Sequence, residues 1–289
     1  MPSTQGLKLR IRSVKSTGKI TGAMQLVAAS KMRRAIDATE ASSAYVAAAE
    51  ELLTYLASQG TTQRHPAFQV RAIRTRLIIV IASDKGLAGA YNTNVLRILA
   101  RELMNDRGAG IATHIIAVGR RAAAFVTRLK DTEVAGVYEN IPDRPSGSEL
   151  YSILDTVETR FAAHEVDAVD LLYTDFLNSL HQQVRVQRVL PAGFTVVPVS
   201  ESVREAEYEP GLEEVLDSVA YRLVGAQIFQ ALLDARASEH SMRMVAMKNA
   251  TDNAHDLSDD LTLEMNKARQ GAITQELAEI SGGVAALVD

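Results

Sequence analysis

Cysteine is absent from all 289 residues, so neither a disulfide nor a thiolate metal site can form, and the chain suits a reducing compartment. Apolar runs are short as well. The longest unbroken one, Leu77–Ala82, falls far below the roughly 20 residues that a bilayer-spanning helix needs. The charged start Lys8–Arg12 has no apolar core behind it, which is not the layout of a secretory signal. The six histidines lie scattered, without a pair at metal-ligand spacing, and no nucleophile stands beside a candidate base. This reading leaves the chain with no catalytic, cofactor-binding or metal residues. Proline is also missing where it would break helices: none lies between Ser3 and His65, and none follows Pro210.

What the chain does have is a long heptad seam. From Leu212, steps of four and three residues reach Leu216, Val219, Leu223, Ala226, Gln230, Leu233, Ala237, His240, Met244, Met247, Thr251, Ala254, Ser258, Leu261, Met265, Ala268 and Ala272. Only Gln230, His240, Thr251 and Ser258 depart from aliphatic character. Pro210-Gly211 reads as the start of one helix from Gly211 to about Glu279, a rod of about 100 Å at 1.5 Å per residue. A helix of that length needs a partner along its seam, since isolated helices owe most of their stability to packing. Beyond Met247 the seam thins to Ala and Ser, which predicts close backbone approach.

The N-terminal arm is the candidate partner. It is rich in Ala, Lys, Arg, Met and Glu, so a second helix is predicted over Gln5–Leu56, weakened locally by Gly18 and Gly22. Ile20, Met24, Val27 and Ala28 share a face at helical spacing, and Ile20, Met24 and Val27 are expected against the C-terminal seam in an antiparallel pair. The net charge of −4 hides an asymmetry. Residues 1–40 carry eight bases against two acids, a net +6, and residues 201–289 carry seven bases against seventeen acids, a net −10. The two arms should attract. A basic helix can also read nucleic acid, but no aromatic platform or recognised motif accompanies this one.

Between the arms the texture changes. Hydrophobic content of 47% with 23% charged residues supports a packed core, and the segments divide as 1–60, 70–205 and 210–289. Strands are predicted at Arg76–Ser83, Ala112–Gly119, Glu133–Tyr138, Ala168–Asp175, Gln183–Leu190 and Phe194–Val199. Helices are predicted at Asn92–Asp106, capped by Asn92, and at Arg120–Lys130 and Ser148–His164. This order implies a Rossmann-like α/β domain whose sheet is mainly parallel with an antiparallel edge. The loop Ser83–Ala90 follows a strand and precedes a helix, as phosphate loops do, yet it fits neither Gly-Lys-Ser/Thr nor Gly-x-Gly-x-x-Gly. It reads as a tight turn; an enzyme built on this sheet would need a ligand there.

Three runs carry a resemblance: IRSVKSTGKITGAMQLVAASKMRRA near the start, SDKGLAGAYN in the middle, and SEHSMRMVAMKNATDNAHDLSDDLTLEMNKARQGAITQELAEISGG near the end. Together they resemble the gamma subunit of F-type ATP synthase, in order and over the whole chain. The resemblance implies a rotating shaft of two antiparallel helices inside a ring of three alpha and three beta subunits. It places the middle domain near the membrane rotor ring, adds an epsilon subunit as a partner, and allows membrane contact only through the complex. It implies no nucleotide on this chain and no nucleic-acid partner. By matched position, Arg269 and Gln270 resemble a pair that binds a beta-subunit loop, and Met24 resembles the methionine facing an acidic lever of beta, with Lys31, Arg33 and Arg34 as charge partners. Tyr208 and Glu209 resemble residues at the contact with the ring. With no cysteine, the thiol-regulated chloroplast form is excluded. A bacterial or mature mitochondrial form remains, and the lack of a presequence favours a bacterial protein, at the cytoplasmic side of the inner membrane.

Overall fold

The computed structural model describes residues 4–288 other than 61, 63, 64, 131, 144, 146, 194, 195 and 210, and at 43–45, 212, 213, 217, 279 and 281–288 it describes only the backbone. Two long helices lie at the ends of the chain, α1 (Thr4–Ser58) and α6 (Leu212–Val288). The chain divides into two compact units, Met1–Ala28 with Met244–Asp289, and Ala29–Arg243.

In the first unit the two helices run antiparallel. Leu7 and Ile11 cluster with Leu261, while Val14, Met265 and Ala268 pack around them. Higher along α1, Gly18 faces Ala254, so close that a Cβ added at Gly18 would lie 3.3 Å from that of Ala254. The Thr21 and Thr251 hydroxyls meet at 2.7 Å. Rising numbers on α1 thus meet falling numbers on α6. The seam expected on α6 is present from Leu216 to Ala268, but Ala272 is exposed, and the Leu212 side chain lies outside the described residues.

The seam expected on α1 is wrong by one face. Ile20 is 57% exposed and Val27 56% exposed, while Leu7, Ile11, Gly18, Thr21 and Ala28 point inward. These inward residues follow the same four-three stepping, shifted from the expected set. Small residues win because the backbones approach closely here: a side chain as large as Ile at the Gly18 position would hold the helices apart.

The second unit holds a five-stranded sheet, made of β1 (Thr75–Ile81), β2 (Ala112–Val118), β3 (Glu133–Tyr138), β4 (Ala168–Phe176) and β5 (Gln182–Leu190). Their order is β3-β2-β1-β4-β5, parallel through the first four, with β5 antiparallel to β4. Helices α2 (Tyr91–Gly108) and α3 (Arg120–Val126) cover the face formed by Ile78, Val80, Ile115 and Leu172. The opposite face, with Leu77, Ile79, Ile116 and Leu171, is covered by α4 (Tyr151–Ala162) and by Ala220, Val224, Ile228 and Leu232 of α6. Burial of both faces explains why β1 reads as a continuous apolar run. The end of α1 packs Ala49, Leu53 and Leu56 against Leu216 and Leu223.

Several sequence expectations need correction. Phe194–Val199 contains no strand over its described residues 196–199, and 194–195 lie outside them; exposure alternates along 196–199, but the segment bonds to α1 instead of the sheet, with Val197 N–H donating to Thr54 Oγ1 and Ser200 N–H to Glu51. Asn92 does not cap α2, which begins at Tyr91 without a side-chain cap, because its amide is used by Ser83. The helix predicted over Arg120–Lys130 ends at Val126, and Ser148–Leu150 is a 3-10 turn before α4. A short helix, α5 (Glu201–Arg204), was not expected.

Candidate functional site

Residues 231–240 of α6 are all buried, so this stretch has no solvent face. A helix enclosed on every side should be apolar all round. Here it instead carries Asp234, Arg236, Ser238, Glu239 and His240, with Arg243 just beyond. Buried charges persist only when paired and hydrogen-bonded, and these are. Glu239 accepts from Arg236 at 3.1 Å and from Arg243 at 2.7 Å, at spacings of three and four residues on one helix face.

The same guanidiniums reach into loops of the sheet domain. Arg236 donates to the Ile141 carbonyl at 2.7 Å and lies 3.6 Å from Asp84. Arg243 donates to the carbonyls of Lys85 and Gly86 at 3.4 and 3.3 Å. Asp84 in turn accepts the backbone N–H groups of Arg120 and Asn140, tying together the loops after β1, β2 and β3. The Ser83–Ala90 loop thus presents carbonyls to an arginine of α6, an arrangement suited to a docking turn rather than to a phosphate cradle. A Cβ at Gly86 would come within 2.7 Å of Arg121, and Leu87 and Gly89 take positive φ.

The ribbon of charge extends to α1. His240 Nδ1 lies 3.3 Å from Arg243, which can only donate, so the proton of the neutral ring belongs on Nε2, which faces Asp143 at 3.5 Å. Asp143 also pairs with Lys31 of α1 at 2.6 Å. Burial lowers the His240 pKa and favours this neutral ring. Burial likewise opposes the charge on Arg236, yet Glu239, Tyr91 and Asp84 outweigh it and raise the pKa, keeping the guanidinium charged. Tyr91 is buried beside the cluster, and desolvation raises its phenol pKa strongly.

The residues expected to meet partners fall in both units. In the first, Met24 is half-buried, and Arg269 and Gln270 are exposed on α6 beyond the packed part of the seam. The same unit also exposes large apolar side chains among its charged ones: Leu9 is 64% exposed, Leu26 72% and Leu263 61%. In the second unit Lys31 is tied to Asp143, Arg34 turns back to Ser30 of its own helix, and Arg33 is exposed. Tyr208 stacks on Tyr55 with ring centroids 5.5 Å apart and donates to the Val203 carbonyl; Glu209 is exposed. The Arg236–Glu239–Arg243 cluster was missed by the sequence reading. Its signal was available, as three charges at helical spacing within a stretch otherwise composed for burial.

Comparison with known proteins follows the same outline. A family model described as "ATP synthase" matches residues 3–287. The chain is 36% identical over 288 residues to the ATP synthase gamma chain of Macrococcus caseolyticus, covering 99% of this chain and 100% of that relative. It is 39% identical over 291 residues to that of Roseiflexus castenholzii, covering all of both. In solved structures it is similar to a chain of the Tetrahymena thermophila mitochondrial ATP synthase central stalk and c-ring assembly. That match has a TM-score of 0.64 and 28% identity over 80% of this chain and 99% of that one. A Euglena gracilis mitochondrial ATP synthase chain shares the fold at a TM-score of 0.69 and 18% identity, over 98% of this chain and 94% of that one. The matches lend no support to the nucleic-acid alternative.

Proposed function

The chain belongs to the gamma-chain family of ATP synthase, and on that premise we propose that it is the turning central stalk of such a complex. In this role it couples proton flow through a membrane rotor ring to ATP synthesis and hydrolysis on beta subunits. No helix among the described residues is long and apolar enough to cross a membrane. The chain is then a peripheral subunit, on the cytoplasmic side of a bacterial inner membrane, and meets the bilayer only through its partners. Those partners are three alpha and three beta subunits, an epsilon subunit and the ring. The chain performs no chemistry itself. Segments 1–60 and 210–289 form the shaft, and segment 70–205 takes up torque at the ring end, with Tyr208 and Glu209 at that contact.

One observation carries this reading: α6 is enclosed through residues 231–240, and Arg236 and Arg243 are bonded to three loop carbonyls of the sheet domain. Sheet and helix must turn together, because slipping would leave buried guanidiniums without acceptors at several kcal/mol each. Rotation does work on a partner only if the shaft contacts differ between the partner's states. Arg269 and Gln270 suit such a contact. They are exposed neighbours about 100° apart on the helix, and they offer a fork of donors plus an amide to an outside loop. Met24 meets the acidic lever of beta on the other helix, with Lys31, Arg33 and Arg34 as nearby charge.

The test is Arg269→Ala with Gln270→Ala in the assembled complex. A buried charged hydrogen bond formed in one rotational state is worth about 2 kcal/mol, so steady ATP hydrolysis and synthesis should fall tenfold or more while assembly stays normal. Turnover at the parent rate in a normally assembled complex removes these two residues from the working contact.

A further inference from the structure

The end of α1 is held on two sides. Ala49, Leu53 and Leu56 turn to α6. Glu51, Thr54 and Tyr55, spaced i, i+3 and i+4, lie on the other side of the helix, and each holds the segment that crosses from β5 to α6. The Val197 N–H donates to Thr54 Oγ1 at 3.4 Å, the Ser200 N–H donates to Glu51 Oε1 at 2.7 Å, and the Tyr208 ring stacks on Tyr55 with the two planes 18° apart. The Ser200 hydroxyl and N–H together hold the Glu51 carboxyl below its usual range, so it accepts as a carboxylate. Within the segment, α5 supplies one helical turn, and the Tyr208 hydroxyl donates to the Val203 carbonyl. Among the described residues, every hydrogen bond that 196–209 makes outside itself goes to α1. The segment is a clasp that keeps its shape because α1 holds it. It exposes Glu201, Glu205, Glu207 and Glu209 against Arg204 as its one base among those residues.

We propose that Tyr55, with Glu51 and Thr54, is a positioning residue for the rotor-ring contact: the three hold the clasp against α1 and so fix its acidic edge, Glu205 to Glu209, for a basic or polar loop of the ring. This inference rests on the proposed placing of Tyr208 and Glu209 at that contact, and it adds the residues that keep them there. A segment with few bonds of its own samples many conformations, and a contact that needs one of them is weakened by the share of time spent in the others. Pinning raises the useful share. The three side chains suit the task, since an aromatic stack adds attraction beyond its buried area and an ionised carboxylate binds an N–H more strongly than a neutral acceptor does. The clasp also runs on into α6 at Leu212. Load taken up at Glu209 therefore reaches both long helices.

Two readings on Glu51→Ala with Tyr55→Ala test it. In the full chain, hydrogen exchange of the amides in 197–208 should quicken about tenfold, while that of β1 stays at the parent rate. In the assembled complex in vesicles, proton-driven ATP synthesis should fall about threefold or more, while hydrolysis by the complex detached from its ring holds at the parent rate. Tyr55→Phe removes only a hydroxyl and should match the parent in both. Unchanged exchange overturns the proposal, and so does faster exchange with synthesis at the parent rate. A purely structural role would also overturn it, and would lower both activities together. If the ring contact itself is misplaced, Tyr208→Ala with Glu209→Ala will synthesise ATP at the parent rate as well; if only the clasp is wrong, that pair will lower synthesis and the Glu51 and Tyr55 pair will not. Should the alanine pair fail to fold, Tyr55→Leu, which keeps apolar bulk but has no ring to stack, decides by the same two readings.

Discussion

Two stretches of the same long helix hold their neighbours by opposite means. Between Met247 and Ser258, α6 meets α1 through small side chains: Gly18 against Ala254, and Thr21 against Thr251. Between residues 231 and 243 it is enclosed and held by Arg236, Glu239 and Arg243. Packing of small residues depends on distance and tolerates no added bulk. Charged clamping depends on partners and tolerates no deletion. The difference shows how one helix can serve both a thin shaft and a fixed anchor.

Substitutions can separate these two modes. The largest effect should come from the anchor: Glu239→Ala leaves two buried guanidiniums facing each other, and breaking a buried ionic group typically costs about 3–5 kcal/mol. Chemical denaturation of the full chain should show that loss. A loss below about 1 kcal/mol would mean that the cluster is solvated enough to do without its acid.

The next effect belongs to the shaft. Gly18→Leu forces bulk against Ala254 and should cost about 2 kcal/mol, whereas Gly18→Ala should change little, since the 3.3 Å approach opposes a gain in helix propensity of about 1 kcal/mol. If leucine is accepted without loss of stability, close approach is not what selects residues there. The smallest effect should come from Thr21→Val, which keeps the shape but removes a hydroxyl at the 2.7 Å contact with Thr251 and should cost about 1 kcal/mol. Equal costs for Thr21→Val and Glu239→Ala would erase the distinction between the two modes.

The same distinction explains what the sequence made legible. On α6 large apolar residues such as Leu216, Leu223, Leu233, Met247 and Leu261 recur on one unbroken four-three stepping, so the seam from Leu216 to Ala268 could be traced through its small and polar positions by period. On α1 hydrophobicity pointed to Ile20 and Val27, which the structure leaves exposed, because the inward positions were chosen for size. Gly18 and Thr21 look like breaks in a helical pattern until their partners Ala254 and Thr251 are known. Strands β1 and β4 and the end of β2 were legible because burial on both faces makes them dense in Val, Ile and Leu, whereas the edge strands β3 and β5 are largely exposed and were legible by β-branched and alternating residues. Asn92 was misread because its bond partner, Ser83, lies outside the helix it was expected to cap. The anchor cluster was hidden for a similar reason: its acceptors are the backbone carbonyls of Lys85, Gly86 and Ile141, whose positions no side-chain pattern reports.

The exposed aliphatic residues of the first unit also bear on the life of the chain before it has partners. Leu9, Ile20, Leu26 and Val27 on α1, together with Leu257, Leu263, Ile273 and Leu277 on α6, are each at least 47% exposed. Apolar surface of that extent is unusual on a protein that remains alone, and it promotes self-association. A newly made copy is therefore a colloidal hazard in proportion to its concentration and waiting time, so the cell has reason to match its synthesis closely to that of the subunits that will enclose it.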